Sequence, residues 1–190
     1  MRICDHHNVP RDWDQRFADP NFIDSPPDPL LVEAVDMLPP GRALDLACGA
    51  GRHALFLARL GWQVTAVDSS AAAIRRLKSQ SAGLAIDARV ADLESGQFLI
   101  LPATYDLIAD FLYLQRDLFP EIREGIHPGG IFAGEILLRE NPAATPRNPD
   151  FQLSSGELRS LFHGWKVLFY SEGVQRGHSH ATARIIARRA

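Results

Sequence analysis

The segment 45–52 constrains the fold most, because Gly49 and Gly51 stand between an apolar stretch and an amphipathic one. Residues 42–47 are typical of a buried strand, and residues 52–60 have the apolar spacing of a helix. Glycines at such a junction let the backbone turn sharply and approach a ligand, and the amides at the start of the helix can hold an anionic group. We therefore expect a ligand-binding loop at the carboxyl edge of a sheet.

Strand and helix patterns alternate beyond this loop, which predicts βαβ units and a parallel sheet. The predicted strands cover residues 42–47, 63–67, 84–90, 105–109, 131–138, 165–171 and 180–187, and the predicted helices cover 11–17, 29–38, 52–60, 70–79, 117–124 and 154–162. Asp87 and Arg89 favour an edge position for the third strand. The last two strands have no helix between them, so we expect them to pair antiparallel. The pattern predicts a Rossmann-like α/β fold, with a mostly parallel seven-stranded sheet, helices on both faces and an antiparallel C-terminal strand.

The composition is that of one ordinary globular domain over 1–190, with residues 1–40 as a helical segment that covers the site. Twenty basic and 23 acidic residues give a net charge of −3, which argues against a nucleic-acid partner. Apolar runs are too short to span a membrane, and the N-terminus has no signal-peptide pattern. Cys4 and Cys48 do not form a disulfide framework, which favours the cytoplasm. The oligomeric state is left open.

Aspartates follow three neighbouring strands, in the order that a nucleoside ligand requires. Asp68 ends the second strand, where a carboxylate can accept two ribose hydroxyls. Asp92 follows the third strand and can accept from the exocyclic amine of adenine. Asp45 lies inside the first strand, where it would attract an ammonium group and repel a pyrophosphate.

A nicotinamide enzyme is the main rival, because residues 49–54 satisfy the dinucleotide fingerprint G-x-G-x-x-A. Three observations count against it. Asp45 is acidic, Ala47 and Cys48 separate the strand from the first glycine, and Asp68 comes early for an acidic residue expected about 20 positions on.

Several motifs resemble those of class I S-adenosylmethionine-dependent methyltransferases. Leu-Asp-Leu-Ala-Cys-Gly-Ala-Gly-Arg at 44–52 is similar to their first motif, Val-Thr-Ala-Val-Asp-Ser-Ser at 64–70 to their second, and His-Pro-Gly-Gly-Ile-Phe at 127–132 to the turn after their fourth strand. The resemblance is closest to the small tellurite-resistance-type methyltransferases. These share the form Ala-Cys-Gly-x-Gly-Arg, the pattern Phe-Gln-Leu-Ser-Ser-Gly-Glu-Leu at 151–158, and Gly-Trp-Lys-Val at 164–167.

The resemblance implies S-adenosylmethionine as cofactor and S-adenosylhomocysteine as product. It assigns the methionine end to Asp45, Ala47, Cys48, Gly49 and the turn at Gly51, the ribose to Asp68 with Ser69 beside it, the adenine to Asp92 and Leu93, and the surroundings of the sulfonium to Asp110. Cys48 is interpreted as a small packing residue and not as a nucleophile.

Fewer sequence features point to residues that contact the methyl acceptor than to residues that bind the cofactor. Related enzymes have a His-Arg pair before the last strand, and Arg176 and His178 supply these residue types in a different order, which makes them candidate catalytic residues. The sequence 110–113 departs from the Asn/Asp-Pro-Pro-Tyr/Phe arrangement of nucleobase amino-methylating enzymes. We therefore expect a small-molecule acceptor: a thiol, a chalcogen oxyanion or another small metabolite. A non-catalytic S-adenosylmethionine-binding module is the alternative from another class.

Four further features keep two interpretations each. Trp13 and Phe17 form either a lid or an ordinary packing face, and Arg116 either attracts an anionic acceptor or is an ordinary surface arginine. His178 and His180 share one strand face, but two ligands do not make a metal site, so no metal is predicted. Cys4, His6 and His7 resemble ligands and are interpreted as an exposed tail.

Overall fold

The computed structural model describes residues 13–139, 149–175 and 180–190. The helices are α1 (Trp13–Ala18), α2 (Pro29–Val35), α3 (Arg52–Arg59), α4 (Ala71–Gln80), α5 (Phe119–Gly125) and α6 (Glu157–Leu161). The strands are β1 (Arg42–Leu46), β2 (Gln63–Asp68), β3 (Ile86–Val90), β4 (Tyr105–Phe111), β5 (Ile126–Leu137), β6 (Lys166–Val174) and β7 (Ala181–Arg188). Short 3₁₀ turns cover Arg116–Leu118 and Pro149–Phe151.

The seven strands form one sheet in the order β3-β2-β1-β4-β5-β7-β6. Strands β1 to β5 are parallel, and β7 lies antiparallel between β5 and β6. The sheet reverses its winding direction between β1 and β4, and this switch point is where open α/β sheets bind ligands. The predicted Rossmann-like fold is confirmed, as are the edge position of β3 and the antiparallel pairing of the last two strands.

Two apolar layers cover the sheet. On one face, α2 and α3 pack onto β1, β4 and β5 through residues such as Leu31, Leu57 and Ile131. On the other face, Phe119, Phe132 and Phe162 form the centre of the layer under α5 and α6. Successive strand residues point to opposite faces, so Asp45 lies on the α3 face while Leu44 and Leu46 lie on the other.

The start of α6 differs from the prediction. The expected helix 154–162 begins only at Glu157, because Gly156 before it has φ of 77°. The carboxylate of Glu157 accepts the amide of Ser154 at 2.8 Å, which is one half of a capping box. Since Gly156 occupies the position before the helix, the capping spacing marks the turn and not the first helical residue. Within the described parts of the chain, no helix is long and apolar enough to cross a membrane.

Candidate active site

The loop after β1 holds an unusual backbone conformation. Ala47, Gly49 and Gly51 have φ of 49°, 56° and 89°, a region that costs a residue with a side chain about 1–2 kcal/mol. Backbone hydrogen bonds fix this shape: the amide of Cys48 donates to Val67 at 3.0 Å, and that of Gly51 donates to the carbonyl of Cys48 at 3.0 Å. Strain at Ala47 is typical of a functional loop that the surrounding structure holds in place.

Asp45 lies under this loop and is almost completely buried, with 1% of its surface exposed. One of its oxygens accepts the amide of Ala54 at 3.0 Å, in the first turn of α3. Burial raises the pKa of Asp45 to about 7, and the charge of nearby Asp68 acts in the same direction. The carboxyl group is therefore poised between its two protonation states near neutral pH.

Asp68 ties the end of β2 to the loop. Its Oδ2 accepts the amide of Gly49 at 2.8 Å, and its Oδ1 accepts the amide of Ser70 at 2.8 Å. Burial raises the pKa of this carboxyl group, while the two amides act against that rise. Ser69, next to it, is exposed. Each carboxylate oxygen has further lone pairs, so Asp68 retains capacity to accept from ribose hydroxyls.

Asp110 is the third buried aspartate and lies near the end of β4, in register with Leu46 of β1 and Gly134 of β5. It is 1% exposed, and its Oδ1 has no hydrogen-bond partner among the described residues. The backbone amide of Tyr113 donates to the carboxyl group, but burial still raises its pKa well above the ordinary value, with a contribution from Asp45. A buried, unpaired carboxyl oxygen is costly unless it meets a proton, a donor or a cation.

The loop after β3 lies further along the same edge. Asp92 is partly buried and accepts the amide of Glu94 on its Oδ1 at 2.9 Å. Leu93 is buried, and its carbonyl accepts from the side chain of Gln115 at 3.3 Å. Gln115 in turn accepts the hydroxyl of Tyr113 at 2.8 Å, which links the loop after β3 to the loop after β4.

Sequence reasoning missed Leu112. This residue follows β4 with φ of 67°, and 56% of its surface is exposed. Its amide donates to the carbonyl of Glu135 at 2.6 Å, which holds the strained conformation. Leu112 and its neighbours Phe111 and Tyr113 are not residue types that favour positive φ, so the sequence did not indicate this conformation.

A buried polar network beside the loop was also missed. The guanidinium of Arg184 on β7 lies 3.2 Å from the carboxylate of Glu135 on β5 and 3.1 Å from that of Asp28. Asp28 caps α2 by accepting the amide of Leu30 at 2.8 Å, and its own amide donates to His53 on α3. The dipeptide Asp-Pro at 28–29 is typical of a helix start, so the sequence alone could have indicated Asp28 as the cap of α2.

Helix α1 lies over the loop. Asp14 accepts the hydroxyl of Ser70 at 2.6 Å and the amide of Ala72 at 2.9 Å, so α1 caps the start of α4. The ring of Phe17 is buried against the loop, where a Cβ added to Gly49 would lie 3.0 Å from it. Trp13 stays 42% exposed. Phe17 therefore packs as the inner face of a cover, and Trp13 is its outer face.

The other candidates have different outcomes. Arg176 and His178 lie outside the described residues, as do Cys4, His6 and His7. Burial raises the pKa of the Cys48 thiol well above its usual value, with Asp45 and Asp68 acting in the same direction, so Cys48 is unsuited to act as a nucleophile.

Arg116 is a partly exposed arginine at the surface, and its charge is already paired. The Arg116 guanidinium pairs with Glu157 at 2.6 Å and donates to the carbonyls of Asp150 and Gln152. This pairing supports the surface-arginine interpretation and argues against a role in attracting an anionic acceptor. In the described part of the chain, no group of three or more His, Cys, Asp and Glu is arranged to hold a metal ion.

These residues fit S-adenosylmethionine. The acidic, buried edge formed by Asp45 and Asp110 suits a ligand with an ammonium and a sulfonium, and it opposes a pyrophosphate. The unpartnered Oδ1 of Asp110 is the specific observation that calls for a cation or a donor.

Comparison with known proteins places the chain in a family. The model of the family described as "Tellurite resistance protein TehB" matches residues 23–188. Hemagglutinin 1 of Eikenella corrodens is 34% identical over 161 residues, which are 80% of this chain and 52% of that protein. The probable S-adenosyl-L-methionine-dependent methyltransferase TehB of Haemophilus influenzae (strain Rd) is 27% identical over 161 residues, 80% of this chain and 54% of that protein. The chain spans about half the length of these curated relatives.

The crystal structure of TehB from Haemophilus influenzae superposes with a TM-score of 0.72 at 23% identity, covering 84% of this chain and 61% of that one. This likeness confirms the fold. The enzyme class and the cofactor predicted from the sequence agree with the name of the relative in Haemophilus influenzae, a probable S-adenosyl-L-methionine-dependent methyltransferase. The chain belongs to the TehB family of class I S-adenosylmethionine-dependent methyltransferases.

Proposed function

We propose that this chain transfers the methyl group of S-adenosylmethionine to a small-molecule acceptor with a soft nucleophile: a thiol, a chalcogen oxyanion or another small metabolite. The observation that carries the proposal is the set of three buried carboxyl groups, Asp45, Asp68 and Asp110, at the carboxyl edge of three adjacent strands. A cationic nucleoside ligand satisfies such a set, and a dinucleotide does not.

Each described site residue has a part in the proposal. Asp45 attracts the ammonium of the methionine end, and Gly49 and Gly51 bring the loop backbone close to it. Asp68 accepts from the ribose hydroxyls. Asp110 faces the positive sulfur. Cys48 and Ala47 fill the loop, and Ser69, Asp92 and Leu93 surround the ribose and adenine.

Bound S-adenosylmethionine supplies a methyl group on a positively charged sulfur. An acceptor lone pair would form the new bond to the methyl carbon, and the electrons of the broken carbon–sulfur bond would go to sulfur. The chain then contributes alignment and exclusion of water, for which positioning supplies up to about 7–11 kcal/mol in favourable cases. A base is required only if the acceptor arrives protonated.

The chain's N-terminal segment and the loop before β7 complete the proposed site. Residues 1–40 cover the cofactor as part of a single methyltransferase domain over 1–190, with Phe17 as the contact to the loop. Arg176 and His178 act on the acceptor side. The acceptor is a free small molecule, with no nucleic acid as partner.

Two measurements test the proposal in sequence. Calorimetric titration with S-adenosylmethionine and S-adenosylhomocysteine should show binding, and the same titration with NADH should not; the reverse result would replace the methyltransferase with an oxidoreductase. Transfer of a radiolabelled methyl group is then measured to thiols, selenite, tellurite, phenols and small amines. Tight cofactor binding without transfer to any of them would favour the non-catalytic module.

The acceptor residues need a matched pair of variants. R176K and H178N should lower transfer to the active acceptor while leaving the dissociation constant of S-adenosylmethionine within about twofold. The control is D87N on the exposed edge strand, which should leave both quantities unchanged. Unchanged transfer in both R176K and H178N would remove these two residues from the acceptor side.

A further inference from the structure

His53 is the second residue of α3, directly after the glycine-containing loop that follows β1, and 3% of its surface is exposed. Its ring lies against that of Phe111, with the ring centroids 4.3 Å apart. Its two nitrogens face different partners. Nε2 lies 3.2 Å from the backbone nitrogen of Asp28, and Nδ1 lies 3.9 Å from Oδ1 of Asp45.

The contact with Asp28 determines where the imidazole carries its proton. A backbone N–H can only donate, so Nε2 must be the unprotonated nitrogen that accepts it. In a neutral imidazole the proton is then on Nδ1, the nitrogen that faces Asp45. The imidazolium form is excluded while this contact exists, because it would set two N–H groups against each other.

The charges around His53 agree with a neutral ring. Burial, helped by the positive charge of Arg52 on the same helix and opposed by Asp28, lowers the pKa of His53 to about 3. Asp45 on β1 and apolar Phe111 on β4 lie beside the ring, and Asp28 connects it to the Glu135–Arg184 pair on β5 and β7. The ring therefore stays neutral across the physiological range.

We infer that His53 is a positioning residue of the cofactor site, which directs its Nδ1–H dipole at Asp45 and so favours the ionised carboxylate that meets the methionine ammonium. The inference rests on the proposed function, because it concerns the same cofactor. The separation of 3.9 Å exceeds a hydrogen bond, so the interaction is an attraction between a charge and an oriented dipole in a low-dielectric site.

The same ring also connects two parts of the molecule. Asp28 caps α2 and accepts from Arg184 on β7. Since the Asp28 amide also donates to His53, which lies beside Asp45, the start of α2 and strand β7 are connected to Asp45. Through His53, the environment of the Asp45 carboxylate depends on how α2 packs and not on the glycine loop alone.

The first test is nitrogen-15 NMR of the histidine side chains in the ligand-free protein, with the His53 signals identified by their loss in H53L. We expect Nδ1 to be the protonated nitrogen, Nε2 the unprotonated one, and no charging of the ring down to pH 5. An Nε2–H tautomer, or an imidazolium at pH 5, would overturn the inference. This readout uses no cofactor, so it is independent of whether the proposed function holds.

The second test compares H53N with H53L. The Asn amide keeps a donor close to the position of Nδ1, whereas Leu has none, and both variants leave the Asp28 amide without its acceptor. Both should lose similar stability in urea unfolding. For S-adenosylmethionine, H53L should bind about twofold to fivefold more weakly, less than a full hydrogen bond contributes, because the dipole lies 3.9 Å from the carboxylate. H53N should stay near the wild type, and so should the control H163N on the far side of the sheet.

The pH dependence separates positioning from packing. In H53L the midpoint at which S-adenosylmethionine affinity rises with pH should move to higher pH, because Asp45 ionises less readily without the dipole. Equal affinities and equal midpoints in H53N and H53L would show that His53 is only a packing residue. If the wild type binds no S-adenosylmethionine at all, the proposed function fails while the NMR result still stands.

Discussion

The Oδ2 atom of Asp68 accepts the backbone amide of Gly49 at 2.8 Å, so the residue expected to hold the ribose also holds the loop for the methionine end. The other oxygen of Asp68 accepts the amide of Ser70 at 2.8 Å. Both oxygens are thus engaged by backbone donors of different segments. Loop shape and the proposed recognition of ribose therefore depend on the same carboxylate.

We expect D68N to damage both properties. One side of an Asn carries NH₂, which would face either Gly49 or Ser70 donor to donor and leave a buried amide unpaired, at a cost of about 1–3 kcal/mol. The melting temperature should fall by several degrees, and S-adenosylmethionine affinity should fall at least tenfold. Calorimetry and thermal unfolding measure these changes, with D87N as control. Unaltered affinity in D68N would contradict a ribose role.

Asp45 should make the ligand-free protein more sensitive to pH. Its pKa is raised from 3.8 to about 7, so its contribution to stability is fully present below about pH 4 and is lost as pH rises through 7. In D45N, the free energy of unfolding in urea should vary less between pH 5 and 8 than in the wild type. An identical pH dependence in both proteins would contradict the raised pKa.

Cofactor binding should show the opposite trend. A cationic ligand favours the ionised form of Asp45, so affinity for S-adenosylmethionine should increase between pH 5 and 7, by at most about tenfold per pH unit for one proton. Calorimetry in buffers of different ionisation enthalpy should detect release of the proton. D45N should bind weakly at every pH. A flat affinity profile in the wild type would rule out this coupling.

Gly51 permits both a backbone conformation and a close contact. Its φ is 89°, and a Cβ there would lie 2.3 Å from Cδ1 of Leu77. G51A should therefore lose about 2–4 kcal/mol, the sum of left-handed strain and crowding. The control is G83A, where φ is 77° and nothing lies within 4 Å, so only strain of about 1–2 kcal/mol applies. Urea unfolding compares the two; equal losses would show that the Leu77 contact yields without cost.

The cover formed by α1 should retain the cofactor. F17A removes a ring that packs on Gly49 and on the ring of Phe22. The centroids of the Phe17 and Phe22 rings lie 5.0 Å apart. Amide hydrogen exchange in α1 and in the loop should become faster, and S-adenosylmethionine should dissociate faster, while the sheet stays protected. W13A alters the exposed face of the same helix and should have a smaller effect. Equal effects of F17A and W13A would contradict the inner position of Phe17.

The opposite end of the sheet carries a pH-dependent ion pair. His127 donates to Asp106, and this contact raises the pKa of His127. The carboxylate of Asp106 also accepts the amide of Arg42 at 2.7 Å, and both contacts lower the pKa of Asp106. The histidine contribution is present below about pH 6.5 and is lost as pH rises through the higher folded-state pKa.

H127N should therefore lose stability at pH 6 and little at pH 9 relative to the wild type. Both side chains are about one third exposed, so the difference should stay below about 1 kcal/mol. Urea unfolding at the two pH values measures it, and S-adenosylmethionine affinity should not change. A loss of equal size at both pH values would indicate packing and not charge.

Much of the architecture follows from local pattern. Period-two and period-3.6 hydrophobicity located all seven strands and the principal helices, because each element must bury one face. The alternation of strands and helices then predicted a parallel sheet, whereas the strand order came only from the tertiary structure. The loop at 45–52 was predicted because a glycine pair after a strand and an acidic residue after the next strand are local, ordered signals.

What the sequence by itself determined is the carboxyl edge of the sheet: the loop glycines, Asp45, Asp68 and the strand ends that bring them together. Only the tertiary structure decided the environment of those groups. The burial that raises the pKa of Asp45 and the two amides that converge on Asp68 depend on residues that are distant along the chain. Likewise, His53 acquires its role only when Asp28 of the α2 cap packs beside it. Periodicity reports which face of an element is buried, whereas desolvation, tautomer and pairing depend on which other elements cover that face.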